Sequence, residues 1–519
     1  MTNKPNILLI MTDQHRWDAM SCAGHPLVQT PNMDRLAGEG VWFRQAVTSC
    51  PLCVPARASL ASSLMPLKLG IVNNTPARRR PDATLMTCLN EAGYHTQAIG
   101  RMHFLPQGQE TYGFQDLMLA EDTWVATQGR EMDAYDRYLQ ENGLFGWGEP
   151  VYVANQIMPC LNPLPERHHQ TTWVGDRTVE YLRREHNRPF FLWTSFFKPH
   201  VPFDVPPEHK DMYRAQDVPW GRIKQVDLDH RHPDMARARR FDQWHLYSQE
   251  ANRESAAHYF ANIALIDRQI GRMLQTLQET GQLQNTIIIY TSDHGEMLGD
   301  HGLWFKKFGY ESSWRIPLIV RGGVFRGGAT SDVLANIMDI MPTALSAAGL
   351  PVPAGLSGND LAAVAQGRSA EPQHQVGEID HYGGQMTYLR SRRWKYIHHE
   401  KGGFEELYDL QADPDEFHNV ASQHPDVCGE SKAAIAAYLR RHSDPAASLD
   451  AAGQLRAKPY EPMPDRNDKP LPFALHPWHL RTPPALLGDK FPGDWWWKMR
   501  PRPDWVIESE DPSARKGSV

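Results

Sequence analysis

Asn6-Ile7-Leu8-Leu9-Ile10-Met11, followed at once by Thr12-Asp13-Gln14-His15, is the stretch on which the fold turns. A short unbroken apolar run closed by a polar tetrapeptide predicts a strand buried on both faces, since an exposed face would call for a polar residue at every second position. Working outward, His95–Gly100, Pro189–Ser195, Thr286–Thr291 and Pro317–Arg321 have the same form and read as further parallel strands. Helical patterns lie between them. Met33–Gly40 follows the start signal Thr30-Pro31, and Arg177–Arg184 precedes the third strand. Asn262–Thr280 carries Ile263, Leu265, Ile266, Ile270, Met273 and Leu277 at helical spacing, and Asp339–Ala348 stops at Gly349 with Pro351 beyond. This alternation predicts an α/β fold with a large, mostly parallel central sheet flanked by helices on both faces.

The main domain is expected over residues 1–370. Insertions rich in Trp, Tyr, Arg and Pro, at about 119–170 and 204–250, either roof a pocket or pack on the body. A smaller α+β subdomain is expected over 371–450, with Met386–Leu389 and Trp394–His398 as antiparallel strands and Ser431–Arg441 as a helix. Residues 451–519 are rich in Pro and Trp, as in Phe491-Pro492-Gly493-Asp494-Trp495-Trp496-Trp497-Lys498. So many aromatics argue against simple disorder. They suit an arm around the chain's own body or a neighbouring subunit, which predicts a homo-oligomer, dimer or tetramer.

The 519 residues are 41% hydrophobic and 22% charged, ample for a large core. A net charge of −7 argues against nucleic acid or a membrane surface as partner, while a few local cations and a metal can still hold a small anion. No apolar run approaches the ~20 residues that span a bilayer. Met1–Asn6 lacks the features of a signal peptide, and the six cysteines (22, 50, 53, 88, 160 and 428) form neither a metal finger nor a disulfide framework. A cytoplasmic location is the expectation.

In open α/β sheets ligands bind outside the carboxyl ends of the strands. Four predicted strands end in Thr12-Asp13-Gln14-His15, Arg101-Met102-His103, Lys198-Pro199-His200-Val201-Pro202 and Ser292-Asp293-His294-Gly295-Glu296. Asp13, Gln14, Asp293 and His294 offer two carboxylates, an amide oxygen and an imidazole, a set suited to Ca²⁺, Mg²⁺ or Mn²⁺. Either Asp alone reads equally as a helix cap. Cys50-Pro51-Leu52-Cys53-Val54-Pro55-Ala56-Arg57 reads as a loop entering a helix, with Pro55 in the first turn and Cys53 at the positive end. Arg57, one turn later, can reach back to residue 53. A buried structural cysteine, or a redox pair with Cys50, fits the same residues.

Cys53-x-Pro55-x-Arg57-Ala58-Ser59 resembles the signature of the type I sulfatases of the alkaline phosphatase superfamily. Pro5-Asn6-Ile7-Leu8, Thr30–Ala37, Gly299–Trp304 and Glu406–Pro414 are similar to further family motifs, so the resemblance spans most of residues 5–420. It implies that a maturation enzyme oxidises Cys53 to formylglycine (3-oxoalanine). It further implies that Asp13, Gln14, Asp293 and His294 hold one divalent cation, Ca²⁺ or Mn²⁺, together with an oxygen of the modified Cys53. Arg57 then orients the hydrated aldehyde. Lys306, with Lys307 as the neighbouring alternative, contacts the transferring group; His200 protonates the leaving group and His103 assists the second step. Asn74 stands where related phosphonate monoester hydrolases place a substrate contact, and Arg101 replaces a family lysine, offering a fork in place of a point charge.

On this resemblance the expected activity is hydrolysis of aryl or small alkyl sulfate monoesters. One hydroxyl of the hydrated aldehyde attacks sulfur to give a covalent sulfate ester; the second loses its proton and expels sulfate as the aldehyde reforms. Val54, Gln14 and His294 depart from common sulfatases, and the last two resemble the arylsulfatase and phosphonate monoester hydrolase branch, whereas His103 is sulfatase-like. A phosphonate monoester hydrolase or phosphodiesterase with the same nucleophile is the second reading. A non-catalytic binding protein with a free thiol at Cys53 is the third.

Overall fold

The computed structural model describes residues 4–71, 73–106, 109–121, 132–144, 159–162, 164–219, 221–224, 232–235, 249–381 and 384–462. The opening apolar run forms β1 (Asn6–Asp13), buried along its whole length. In chain order follow β2 (Val41–Phe43), β3 (His95–Gly100), β4 (Asp116–Leu119), β5 (Cys160–Leu161), β6 (Phe190–Pro199), β7 (Asp204–Val205), β8 (Thr286–Ser292), β9 (Leu318–Arg321) and β10 (Ala329–Ser331). Eight of these make one sheet in the order β10-β2-β9-β8-β1-β6-β3-β4, while β5 and β7 pair separately. The principal helices are α1 (Pro31–Glu39), α2 (Cys53–Ser62), α3 (Leu85–Glu91), α4 (Ala134–Glu141), α5 (Gln170–Arg183), α6 (Gln249–Glu279), α7 (Ile340–Ala347) and α8 (Pro425–His442).

The unbroken apolar run of β1 has a direct explanation in the packing. Successive side chains of a strand point to opposite faces. Ile7, Leu9 and Met11 enter a core with α2, α3 and α7, while Leu8 and Ile10 enter a second core with α1, α5 and α6. β6 splits likewise, with Phe191 and Trp193 on the first side and Phe190 and Leu192 on the second. Each such side chain stabilises the fold by roughly 1.5–3 kcal/mol through burial, and a polar residue at any of these positions would have no wet face to occupy.

β1 lies parallel to β6 and β8, and β3 parallel to β6 and β4. The expectation of a parallel fifth strand is corrected: β9 runs antiparallel to both β8 and β2. After β8 the chain builds a long loop at the carboxyl end of the sheet, containing Asp293 to Trp314, and re-enters from that same end. Without a crossover to the opposite end, the returning strand must run backwards.

Antiparallel strands β11 (Gln375–His381), β12 (Gly384–Arg390), β13 (Trp394–His399) and β14 (Glu405–Asp409) form a second sheet, with α8 in contact with β12 and β13. The described parts of the two insertions pack on the body. Arg222 pairs with Asp18, Asp300 and Asp415, and Asp234 pairs with Lys401 of the loop after β13. Much of both insertions, and residues 463–519 with the Trp-rich stretch that motivates an oligomer, lie outside the described residues. Among the described residues no helix is long and apolar enough to cross a membrane.

Candidate active site

Strands β8, β1, β6 and β3 are consecutive neighbours, about 4.8 Å apart. Their carboxyl ends therefore deliver Asp293, Asp13, Ser195 to His200, and Arg101 to His103 to one place. α2 points its first turn at that place and is buried at all ten residues. Pro55 in this turn removes only an N–H that has no intrahelical partner. Cys53 is the first helical residue; its Sγ lies 3.2 Å from His294 Nε2 and 3.7 Å from Asp13 Oδ1.

Arg57 organises the carboxylates. Its Nε donates to Asp293 Oδ2 at 2.9 Å and one terminal nitrogen to Asp13 Oδ2 at 3.1 Å. The other terminal nitrogen donates to the Arg101 carbonyl at 2.7 Å and to Ser195 Oγ at 3.0 Å. Arg101 also binds Asp13 Oδ2, and its other nitrogen donates to His103 Nδ1 at 2.8 Å. Each aspartate thus turns Oδ2 to the guanidinium groups and Oδ1 to the centre, where Asp13 Oδ1 and Asp293 Oδ1 lie 3.7 and 3.6 Å from His294 Nε2. Burial alone would raise the Asp13 carboxyl; Arg101 and Arg57, with His200 and His294, hold it well below the usual range.

The donor set fits a divalent cation. One ligand atom each from Asp13, Cys53, Asp293 and His294 falls within 4.8 Å of the others. His294 Nδ1 donates to the Gly295 carbonyl at 2.9 Å, which fixes the tautomer with a lone pair at Nε2, facing the carboxylates. Gln14 sits beside this group on a left-handed backbone (φ 71°), its N–H bonded to Asp293 Oδ1 at 3.0 Å and its side-chain oxygen accepting from Lys306 Nζ. Burial, with Asp13 and Asp293 nearby, pushes the Cys53 thiol up to about 12.

A second set lies across Gln14. Lys306 Nζ donates to His200 Nε2 at 2.6 Å, and His200 Nδ1 donates to the Val201 carbonyl at 2.6 Å. The sequence suggests a histidine near its ordinary pKa; instead burial and the Lys306 ammonium push His200 well below it. The His200 imidazole here accepts from Lys306 through Nε2. Of the lysine doublet it is Lys306 that reaches the cluster, while Lys307, at φ 83°, bonds Pro51 through its backbone N–H at 3.1 Å. Asn74 is exposed, and its Oδ1 accepts the Val54 N–H at 3.2 Å, so it marks the solvent side of the α2 terminus.

Three contributors had no role assigned from sequence. Ser195 holds Arg57. Glu121 accepts the backbone N–H groups of Met102 and His103 at 2.9 Å, shaping the turn that carries His103 at φ 51°. Glu296 accepts from the Gln14 amide and from the N–H groups of Leu298 and Phe305. Burial pushes Glu296 up to about 6, which leaves it ionised at neutral pH. Glu296 stands in a strand-end segment already singled out; Ser195 ends an apolar run and Glu121 carries no sequence signal.

Residues 5–350 match the family model described as Sulfatase, and residues 299–427 the one described as N-sulphoglucosamine sulphohydrolase, C-terminal. The chain is 32% identical over 451 residues to an arylsulfatase of Clostridium perfringens (strain 13 / Type A), covering 80% of this chain and 90% of that one. It is 29% identical over 439 residues to a choline-sulfatase of Rhizobium meliloti (strain 1021), covering 81% and 83%. The crystal structure of the phosphonate monoester hydrolase of Agrobacterium radiobacter superposes with a TM-score of 0.73 at 26% identity, covering 88% of this chain and 100% of that one.

Proposed function

The chain belongs to the sulfatase family and is a sulfuric ester hydrolase, and from that premise we propose that it cleaves small aryl or alkyl sulfate monoesters with a formylglycine made from Cys53 and one divalent cation, Ca²⁺ or Mn²⁺. The observation that carries this reading is the position of residue 53. Its side chain touches the central, ligand-facing side of Asp13 and His294, while the Lys306–His200 pair stands across Gln14.

Asp13, Gln14, Asp293 and His294, with an oxygen of the modified residue 53, would hold the cation, which would supply positive charge against the group being transferred. Residue 53, once oxidised and hydrated, would offer two hydroxyls, one to take the sulfuryl group and one whose proton loss would release sulfate. Arg57 keeps both aspartates aimed inward and stabilises the attacking oxygen. Lys306 neutralises the sulfuryl oxygens, which carry the spread charge of the transition state. An arriving anion between Lys306 and His200 favours the protonated imidazole, so His200 gives its proton to the leaving oxygen. His103, held by Arg101 as the Nε2–H tautomer, serves the release step. Asn74, exposed beside the α2 terminus, is the substrate-side contact; Arg101 acts through Asp13 and His103, and Lys306, not Lys307, fills the lysine role.

The test is a pair of matched esters of one phenol. A kcat/KM favouring the sulfate supports the reading; a preference for the phosphonate would replace it with phosphonate monoester or phosphodiester hydrolysis, which Gln14, His294 and the structural likeness to a phosphonate monoester hydrolase favour. Oxidation of the thiol to the aldehyde lowers the mass of the peptide containing residue 53 by about 18 Da. An unshifted peptide from the native host would point instead to a binding protein and remove the maturation enzyme as partner.

A further inference from the structure

Gln14 and Glu296 are both completely buried, and every polar atom of the Gln14 side chain is committed. One end meets Lys306 Nζ, which can only donate; the other meets a carboxylate oxygen of Glu296, which accepts. These neighbours admit one orientation of the amide, with nitrogen toward Glu296 and oxygen toward Lys306. The other Glu296 oxygen is spent on the N–H groups of Leu298 at 2.9 Å and Phe305 at 2.6 Å, so the carboxyl group cannot rotate without orphaning two buried donors.

We infer that Glu296 is a positioning residue for the cation site: by accepting the Gln14 amide N–H it keeps the amide oxygen, and not the NH₂ group, facing the cation. An aspartate at position 14 would need no such partner, because both its oxygens can serve as ligands. A glutamine has two ends of nearly equal shape and opposite chemistry, and a wrong end at a hard cation is not a ligand at all. The inference rests on the reading of Gln14 as a cation ligand given above.

Glu296→Gln keeps the shape and reverses the logic. Leu298 and Phe305 still require an oxygen, so the new amide nitrogen faces Gln14, and Gln14 must turn its NH₂ group to the centre. The swap Gln14→Glu/Glu296→Gln restores a match, since the new amide donates to one oxygen of residue 14 and leaves the other for the cation. Calorimetric titration of Mn²⁺ into chelator-stripped protein reads the effect without any substrate. Glu296→Gln should weaken Mn²⁺ binding about 10–100-fold, and the swap should recover the parent Kd to within a few-fold. Parent-like binding by Glu296→Gln, or a swap variant as weak as the single one, overturns the inference. If Glu296→Gln fails to fold, the swap decides alone: parent-like binding supports the pairing and a tenfold loss overturns it. Asp293→Ala separates the two levels of argument. Should it leave Mn²⁺ binding untouched, the ion lies elsewhere and the cation reading itself falls, taking this inference with it.

Discussion

Among the described residues, two of the buried clusters of opposite charges are closed in different ways. At the junction of the two sheets Glu311 meets Arg390 through both of its oxygens, Lys395 at 3.0 Å and Arg315 at 3.4 Å, and Lys395 also reaches Glu416 at 2.9 Å. Both Glu311 oxygens face cations of the protein, and despite burial Arg390, Lys395 and Arg315 hold its carboxyl far below the usual range. In the strand-end cluster Asp13 and Asp293 meet Arg57 only with Oδ2 and turn Oδ1 toward Cys53 and His294. The first cluster is neutralised by the protein's own cations; in the second, Asp13 Oδ1 and Asp293 Oδ1 lie on the side shared with Cys53 and His294, where the four residues could hold a metal ion, and Asp293 Oδ1 also accepts the Gln14 and His294 N–H groups at 3.0 and 2.9 Å. Burial and ion pairing alone do not mark a functional site, and the direction of the second carboxylate oxygen does.

The largest expected effect breaks the open cluster at its centre. Asp293→Asn keeps the shape, removes the charge facing Arg57 and takes away a ligand oxygen, so kcat/KM should fall on the order of 10⁴-fold, the scale reached when a reacting group loses its orienting carboxylate. Steady-state kinetics with the preferred ester, alongside the mass of the peptide containing residue 53, checks it. Near-parent turnover by a fully matured variant would remove Asp293 from the site.

The next effect sets the clusters against each other. Arg57→Met and Arg390→Met each leave buried carboxylates without their guanidinium, which costs about 3–5 kcal/mol when a buried pair is broken. Urea unfolding with and without Mn²⁺ separates them. Mn²⁺ stabilises every variant that keeps the site, so the parent under the same conditions is the reference: the cation should shrink the loss for Arg57→Met, because charge can enter at Asp13 and Asp293, and leave the loss for Arg390→Met unchanged. A loss for Arg57→Met that Mn²⁺ leaves unchanged would mean that the cation does not replace the Arg57 charge.

How far the sequence shows this contrast depends on what each residue needs from its surroundings. β1, β6 and β8 are legible because both of their faces are buried around the apolar runs Ile7–Met11, Phe190–Trp193 and Ile287–Tyr290, whereas β3 shows only Ala98 and Ile99 before Gly100. β11 and β14 are not, since Gln375, Glu378, Asp380, Glu405 and Glu406 interrupt any such run, and Gln375, Glu378, Glu405 and Glu406 find their partners only in the folded chain. α6 is already helical at Gln249, well before its apolar pattern, because Glu250, Asn252, Arg253 and Glu254 disguise these turns. Asp13, Asp293, Arg57 and Cys53 can be singled out from strand ends and one signature. Glu121, Ser195 and Glu296 act through backbone N–H groups and other side chains, a role that composition and spacing do not encode.

The smallest expected effect concerns a third buried acid that has neither kind of closure. Glu378 on β11 is held by the Leu67 N–H at 2.9 Å and by the Ser443 hydroxyl, which donates at 2.9 Å, and burial pushes its carboxyl up to about 7. Its folded pKa lies above the unfolded value of ~4.3, so the folded state binds the proton more tightly. The stability it contributes is therefore full below pH ~4.3 and is lost as pH rises through about 7. Glu378→Gln mimics the protonated form at every pH. Urea unfolding of parent and variant should agree near the acid end of this window and diverge above it, the variant being more stable by on the order of 1–3 kcal/mol at pH 8. Asp13, held low by Arg101 and Arg57, must show the opposite sign, its contribution vanishing as pH falls. A variant whose stability tracks the parent across the whole range would mean that the Leu67 and Ser443 donors already compensate the buried charge, and that neutral hydrogen bonds can close an acid as fully as the arginine and lysine around Glu311 do.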